Sequence, residues 1–170
     1  KIRLIITGNE VYNGLIQDRF QAIVERKVTA LGATLVETVI LPDDRKMISH
    51  QIREYQKKET DLIITTGGMS VDPDDVTKAG IEAAGFDQVH YSAAVLPGAM
   101  FLLGYSKTTA VMGLPACGLY HETTIFDLIL PRLMAGEKPG KRDLAKLCHG
   151  GLCHNCKPCR FPICPFGKSG

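Results

Sequence analysis

The sequence predicts an α/β fold built on a mainly parallel sheet that is covered by helices on both faces. Three observations carry this expectation. Short apolar runs such as "RLIIT" and "DLIITT" read as buried strands. Between them apolar residues recur at helical spacing, with glycine or aspartate marking the ends. The two patterns alternate along the chain, which implies βαβ units.

Taken in order, "RLIIT" is the first strand and "GNEVYNG" a polar, glycine-bounded loop. From Leu15 the apolar residues Phe20, Ile23, Val24, Val28 and Leu31 recur at helical spacing, with Gly32 as the stop. "ATLVETVIL" is a β-rich run ending at Pro42. Asp43 or Asp44 can then cap a helix that carries Met47, Ile48, Ile52 and Tyr55 on one side. "DLIITT" is the next strand, and "DVTKAGIEAAG" a helix ending at Gly85. "QVHYSAAVL" reads as extended, "PGAMFLLG" as a turn and an apolar segment, and "TTAVMGL" as another strand. "LYHETTIFDLILPRLMAG" closes the pattern as a helix with Ile125, Leu128 and Ile129 inward, which Pro131 should kink or end.

At 170 residues, 45% hydrophobic and 22% charged, the chain suffices for one domain with a real core and a short appendage. The expected division is residues 1–140 as the α/β domain and 141–170 as a cysteine-rich tail. No apolar run approaches ~18 residues and no secretory signal is visible, so the expected setting is cytoplasmic and without a membrane partner. Lys1 leads almost directly into a strand without an initiator Met, which suggests a piece of a longer chain lacking an upstream domain.

In a parallel sheet the site lies beyond the carboxyl ends of the strands. "TGNE", "LPDD", "TTGGMSVDPDD" and "GLPACG" all follow strands and should share one rim. The third carries a contradiction: a glycine turn whose bared N–H groups favour anions, with Asp72, Asp74 and Asp75 directly after it. Helix capping explains one acid or two, each offsetting the helix dipole by ~0.3–1 kcal/mol. A functional reading adds Mg²⁺, which turns repulsion between carboxylates and a pyrophosphate into a bridge. That predicts metal-dependent phosphate chemistry, without a P-loop lysine or a "GxGxxG" fingerprint.

"TGNEVYNGLIQDRF", "LPDD", "TTGGMSVDPDDVT", "LPGAMFLLG" and "GLPACGLYHETTIFDLILPRL" together resemble the molybdopterin-binding domain of molybdenum-cofactor biosynthesis proteins. That family includes molybdopterin adenylyltransferases, molybdopterin molybdenumtransferases and competence-damage-inducible proteins. The resemblance spans residues 2–135. It implies a three-layer α/β/α fold that binds molybdopterin or its nucleotide, usually as a trimer. It also implies Mg²⁺-dependent adenylyl transfer from ATP or molybdate insertion. Carried over residue by residue, it makes Asp43 or Asp44, with Asp44 preferred, and Asp75 the catalytic candidates. It assigns Thr66, Gly67, Gly68 and Ser70 to the phosphate cradle, with Thr77, Gly113, Leu114 and Pro115 completing the binding set. The chain departs from the family in "GLPACGLY" for GLPGNPVS, in "TGGMS" for TGGTG, and at Ala99–Met100. Cys117 is either a thiol near the pterin dithiolene or a small buried residue.

The tail is distinct in composition. Five of the six cysteines fall within residues 148–164. In a reducing compartment such clustering means metal more often than disulfides. Cys153, Cys156, Cys159 and Cys164 follow the spacing C-x2-C-x2-C-x4-C-P, one residue longer than a bacterial ferredoxin half-motif. A [4Fe–4S] cluster fits, and so does Zn²⁺, either on these four or on a set using His149 or His154. Residues 141–170 hold six basic residues against Asp143 alone, a net +5, which leaves −3 for the rest of a chain whose total is +2. A mildly acidic body argues against nucleic acid as a partner. The rival reading is a redox or metal-sensing protein in which the tail is primary and the α/β domain is a docking platform. His50, His90 and His121 are expected to be ordinary surface or packed histidines.

Overall fold

Alternation along the strands divides the core into two halves. In the computed structural model, which describes residues 1–68 and 76–168, strand β1 (Ile2–Thr7) is buried at every position. Successive side chains of a strand face opposite ways, so Ile2, Leu4 and Ile6 join one apolar cluster while Ile5 joins the other. Strand β3 (Leu62–Thr66) repeats the division, with Leu62 and Ile64 on the first side and Ile63 on the second. Helices α2 (Phe20–Ala30) and α5 (Ile125–Met134) cover the first side through Val24, Val28, Ile125, Phe126 and Ile129. Helices α3 (Arg45–Lys57) and α4 (Val76–Ala83) cover the second through Ile48, Ile52 and Ile81. Each such side chain, fully buried, contributes about 1.5–3 kcal/mol relative to exposure. The three layers follow from this two-sided burial.

The sheet has six strands among the described residues, in the order β2-β1-β3-β6-β5-β4. Strands β2 (Leu35–Leu41), β1, β3 and β6 (Ala110–Leu114) run parallel. Strand β5 (Leu102–Tyr105) is antiparallel to β6, and β4 (Gln88–Tyr91) is antiparallel to β5. The sheet is mainly parallel, as the alternating pattern implied.

Several boundaries differ from the sequence reading. "GNEVYNG" is not all loop, for Asn9–Tyr12 form one helical turn, α1. The next helix starts at Phe20 rather than Leu15, because the Asp18 carboxylate accepts from the N–H groups of Phe20 and Gln21, both at 2.9 Å. Leu15 is left 74% exposed. The extended run at "QVHYSAAVL" yields a strand only over Gln88–Tyr91, and Ser92 turns away with φ 68°.

The last long helix starts at Ile125 rather than near Leu119. A capping box fixes this start: Thr124 Oγ1 accepts from Phe126 N at 3.2 Å, and Asp127 accepts from Thr124 N at 2.8 Å. Residues 115–124 are thereby released to the rim, apart from a 3₁₀ turn at Ala116–Leu119. Pro131 does not end the helix, which runs on to Met134. A further helix, α6 (Lys141–Lys146), begins the tail. Its Leu144, with Leu147 and Phe166, is buried in the first apolar cluster.

Candidate functional site

Because β2, β1, β3 and β6 are adjacent and parallel, their carboxyl ends stand in a row. Thr7 pairs with Leu41, Ile6 with Thr66, and Thr66 with Leu114. The loops read from the sequence therefore do start from one rim, the third of them described only as far as Gly68. At its middle, Gly67 and Gly68 take φ of 81° and 54°. A Cβ on Gly67 would lie 2.0 Å from the carbonyl oxygen of Thr7, so the turn needs glycine for space as well as for conformation.

A network of threonines fixes that turn. Thr7 Oγ1 donates to the Thr66 carbonyl at 3.0 Å and lies 3.1 Å from Thr77 Oγ1. A hydroxyl has one proton to give, so Thr77 is the donor to Thr7. The start of α4 is thereby tied to the ends of β1 and β3. Thr66 itself is fully buried, and its Oγ1 has no hydrogen-bond partner among the described residues. A buried hydroxyl left unpaired costs about 1–3 kcal/mol. Thr66 directly precedes the Gly67–Gly68 turn in the chain.

The acids of the second loop hold structure. Asn9 N donates to Asp43 Oδ2 and Asp43 N donates to Asn9 Oδ1, each at 3.1 Å, which locks the β1 loop to the β2 loop. Asp44, the first catalytic candidate, is the N-cap of α3 and accepts from Met47 N at 2.8 Å through Oδ1. Ser70, Asp72, Asp74 and the second catalytic candidate, Asp75, lie outside the described residues.

On the β6 side, Gly113 and Leu114 are buried in the strand, and Leu114 belongs to the first apolar cluster. What they offer the rim is backbone. Pro115 opens the 3₁₀ turn, its carbonyl accepting from Gly118 N at 3.0 Å. Burial pushes the Cys117 thiol pKa up, which keeps it protonated and favours the reading of a half-buried packing residue. Lys27 reaches across to the Glu122 carbonyl at 2.8 Å and pairs with Asp127, holding the far end of this loop.

Sequence reading did not single out Thr7 or Asn9, and it expected His121 to be an ordinary surface or packed histidine. Asn9 and Thr7 act through pairings set by strand register. His121 lies on the β6 loop with its Nδ1 buried and unpaired. The position of "LYHETT" after a strand was the available signal for it. A cleft of about 370 Å³ lined by Asp61, Tyr105, Thr109 and Leu133 lies at the opposite edge of the sheet. It is at the amino ends of the parallel strands, away from the edge where open α/β sheets bind ligands.

Cys153, Cys156, Cys159 and Cys164 all line a pocket of about 90 Å³. All are free thiols. Among the described residues no three of His, Cys, Asp or Glu already stand as a metal-holding group. No helix among them is long and apolar enough to cross a membrane.

Comparison with known proteins agrees with this architecture. A family profile described as "Probable molybdopterin binding domain" matches residues 3–135. The chain is 29% identical over 142 residues to a molybdopterin molybdenumtransferase of Haemophilus influenzae, covering 82% of this chain and 34% of that protein. It is 36% identical over 78 residues to a CinA-like protein of Thermosipho melanesiensis, covering 46% of this chain and 19% of the relative. The chain thus spans about a third or less of the length of these curated relatives. Among solved structures, CinA of Thermoplasma acidophilum matches with a TM-score of 0.67 at 16% identity, covering 78% of this chain and 96% of that one. The molybdopterin biosynthesis enzyme MoaB of Thermus thermophilus matches with a TM-score of 0.64 at 22% identity, covering 82% and 98%. At these identities the structural matches establish the fold.

Proposed function

The chain belongs to the molybdopterin-binding domain family, and from that premise we propose that it binds molybdopterin or a molybdopterin nucleotide at the rim of β2, β1, β3 and β6. The observation that carries this reading is the unpaired, fully buried Thr66 hydroxyl beside the Gly67–Gly68 turn. An anion with oxygens to share satisfies that hydroxyl and the backbone N–H groups of the turn together. Thr7 and Thr77 hold the turn in shape, so the cradle is organised before ligand arrives.

When bound, molybdopterin supplies the dithiolene sulfurs that carry molybdenum, and its phosphate is the handle for this cradle. Ser70, two residues after Gly68 in the sequence, and Gly113, Leu114 and Pro115 at the β6 end complete the proposed contact set. Asp44 and Asp75 are the groups for a Mg²⁺ ion if the chain also takes ATP. A carboxylate-bound Mg²⁺ offsets the charge of two phosphates side by side. Adenylyl transfer, molybdate insertion and simple carriage all start from this same binding step. Six free cysteines suit a reducing, cytoplasmic setting. A homotrimer, and a further domain of the longer relatives, are the partners that this reading expects.

The test is direct titration of the full chain with molybdopterin, and separately with Mg-ATP. Saturable binding of molybdopterin is the expected result. If neither ligand binds to a folded chain, the proposal is wrong.

A further inference from the structure

Beyond the rim, we propose that the tail is a [4Fe–4S] site ligated by Cys153, Cys156, Cys159 and Cys164 and seated against the loop after β6. These four, and neither Cys117 nor Cys148, line the 90 Å³ pocket. The rest of its wall includes Leu152, Phe161 and Phe166, the two rings meeting edge-on at 6.5 Å. Of these only Phe166 is buried, and apolar surface of this kind beside a cluster helps tune its potential. Thr123 Oγ1 lies 3.4 Å from Cys159 Sγ, where its hydroxyl can donate to a ligating thiolate.

Two further observations point the same way. An oxidised cluster on four thiolates carries a net charge of about −2; the tail is net +5 in sequence, and Arg160 and Lys157 line the two pockets that the cysteines border. Past α6 the tail contains no helix or strand among the described residues. Its ties to the body include Leu96 N to Gly151 O at 2.7 Å, Cys153 N to Leu96 O at 2.8 Å, the Thr123–Cys159 contact, and the packing of Leu147, Phe161 and Phe166 against the first apolar cluster. Metal ligation is the usual source of folding energy for such a segment. Among the described residues the thiols do not already stand as a metal-holding group, so this assignment requires them to turn inward as the cluster assembles.

Iron–sulfur is favoured over zinc by the spacing. Three cysteines at i, i+3 and i+6 present one run of thiolates to one cube, with Cys164–Pro165 closing it. Structural zinc sites are commonly built from paired ligands on two separate strands of chain. Cys153, Cys156 and Cys159 also line a second pocket, about 320 Å³, together with Tyr120, Glu122 and Thr123 of the β6 loop. The cluster would stand beside the proposed pterin rim, yet its existence does not depend on molybdopterin binding.

Metal analysis of the full chain purified without oxygen tests this. About four irons and four acid-labile sulfides per chain are expected, with broad visible absorption that dithionite bleaches. Cys156 is exposed, so Cys156→Ser removes no buried packing. It should lower iron content about tenfold or more. Cys148→Ser should leave it unchanged. Stoichiometric zinc without iron overturns the proposal. So does failure to take up iron and sulfide on reconstitution, or equal iron in wild type and Cys156→Ser. Each of these readings is made without molybdopterin, so it stands apart from the fate of the rim.

Discussion

Thr66 has a hydroxyl that the fold buries and leaves without a partner among the described residues. Thr66→Val keeps the shape and deletes that group, so the chain should be as stable as wild type or more so by about 1 kcal/mol. Affinity for molybdopterin should fall about tenfold or more, the worth of one hydrogen bond to a charged group. Denaturant midpoints and titrations on the same preparation check both halves. Gly67→Ala asks the opposite question. Its Cβ would meet the Thr7 carbonyl at 2.0 Å in a backbone with φ 81°. The conformational strain alone costs about 1–3 kcal/mol, and the collision adds to it, so the urea midpoint should drop sharply or the protein fail to accumulate. An unchanged midpoint would refute this account of the turn. Thr66 and Gly67 were legible in the sequence because "TTGG" after an apolar run marks a strand entering a tight turn. The orphaned hydroxyl was not. Whether a buried threonine finds a partner depends on neighbours such as Thr7 and Thr77, which register brings from distant parts of the chain.

At the scale of elements, Asp44 has two candidate jobs that conservative substitutions separate. As N-cap of α3 it accepts from Met47 N. Asparagine caps as well as aspartate, so Asp44→Asn should leave thermal stability nearly unchanged, while Asp44→Ala should cost about 1 kcal/mol. In a domain of this size the latter is a shift of roughly 2–4 °C in Tm. If Asp44 also serves Mg²⁺, Asp44→Asn should weaken Mg-ATP binding despite the intact fold. Equal binding by the two proteins would leave Asp44 a cap and nothing more. The strands were plain from their apolar runs, and the interiors of the helices from residues such as Ile48 and Ile52. Their starts were less so. Leu15 continues the apolar pattern of α2, but Asp18 captures the first free N–H groups and begins the helix later. The same competition between pattern and cap moved the start of α5 to Ile125, where Thr124 and Asp127 close a capping box.

Across the whole molecule, the row of parallel strand ends makes the candidate site, and the alternating sequence pattern foretold that row before any particular contact. The sequence did not reveal the antiparallel arrangement of β4 and β5, because direction is not written in an apolar run. The two-layered core has a consequence at high pH. Burial raises Tyr55 to about 12, assisted by the charge of Glu37, and burial likewise raises Tyr105 to about 12. Unfolded tyrosine loses its proton near pH 10 while these keep theirs, so stability present below pH 10 is lost as pH rises toward 12. For Tyr55 the loss is about 2–3 kcal/mol. Ultraviolet titration should show the phenolates of Tyr55 and Tyr105 appearing together with unfolding; their titration in a native chain near pH 10 would contradict the burial described. The most direct measurement of all is calorimetric titration of wild type and Thr66→Val with molybdopterin. Saturable binding by wild type and clear weakening in an equally folded Thr66→Val is the predicted result. Identical affinity in the two, or no heat from either, would mean that the rim is not where the pterin goes.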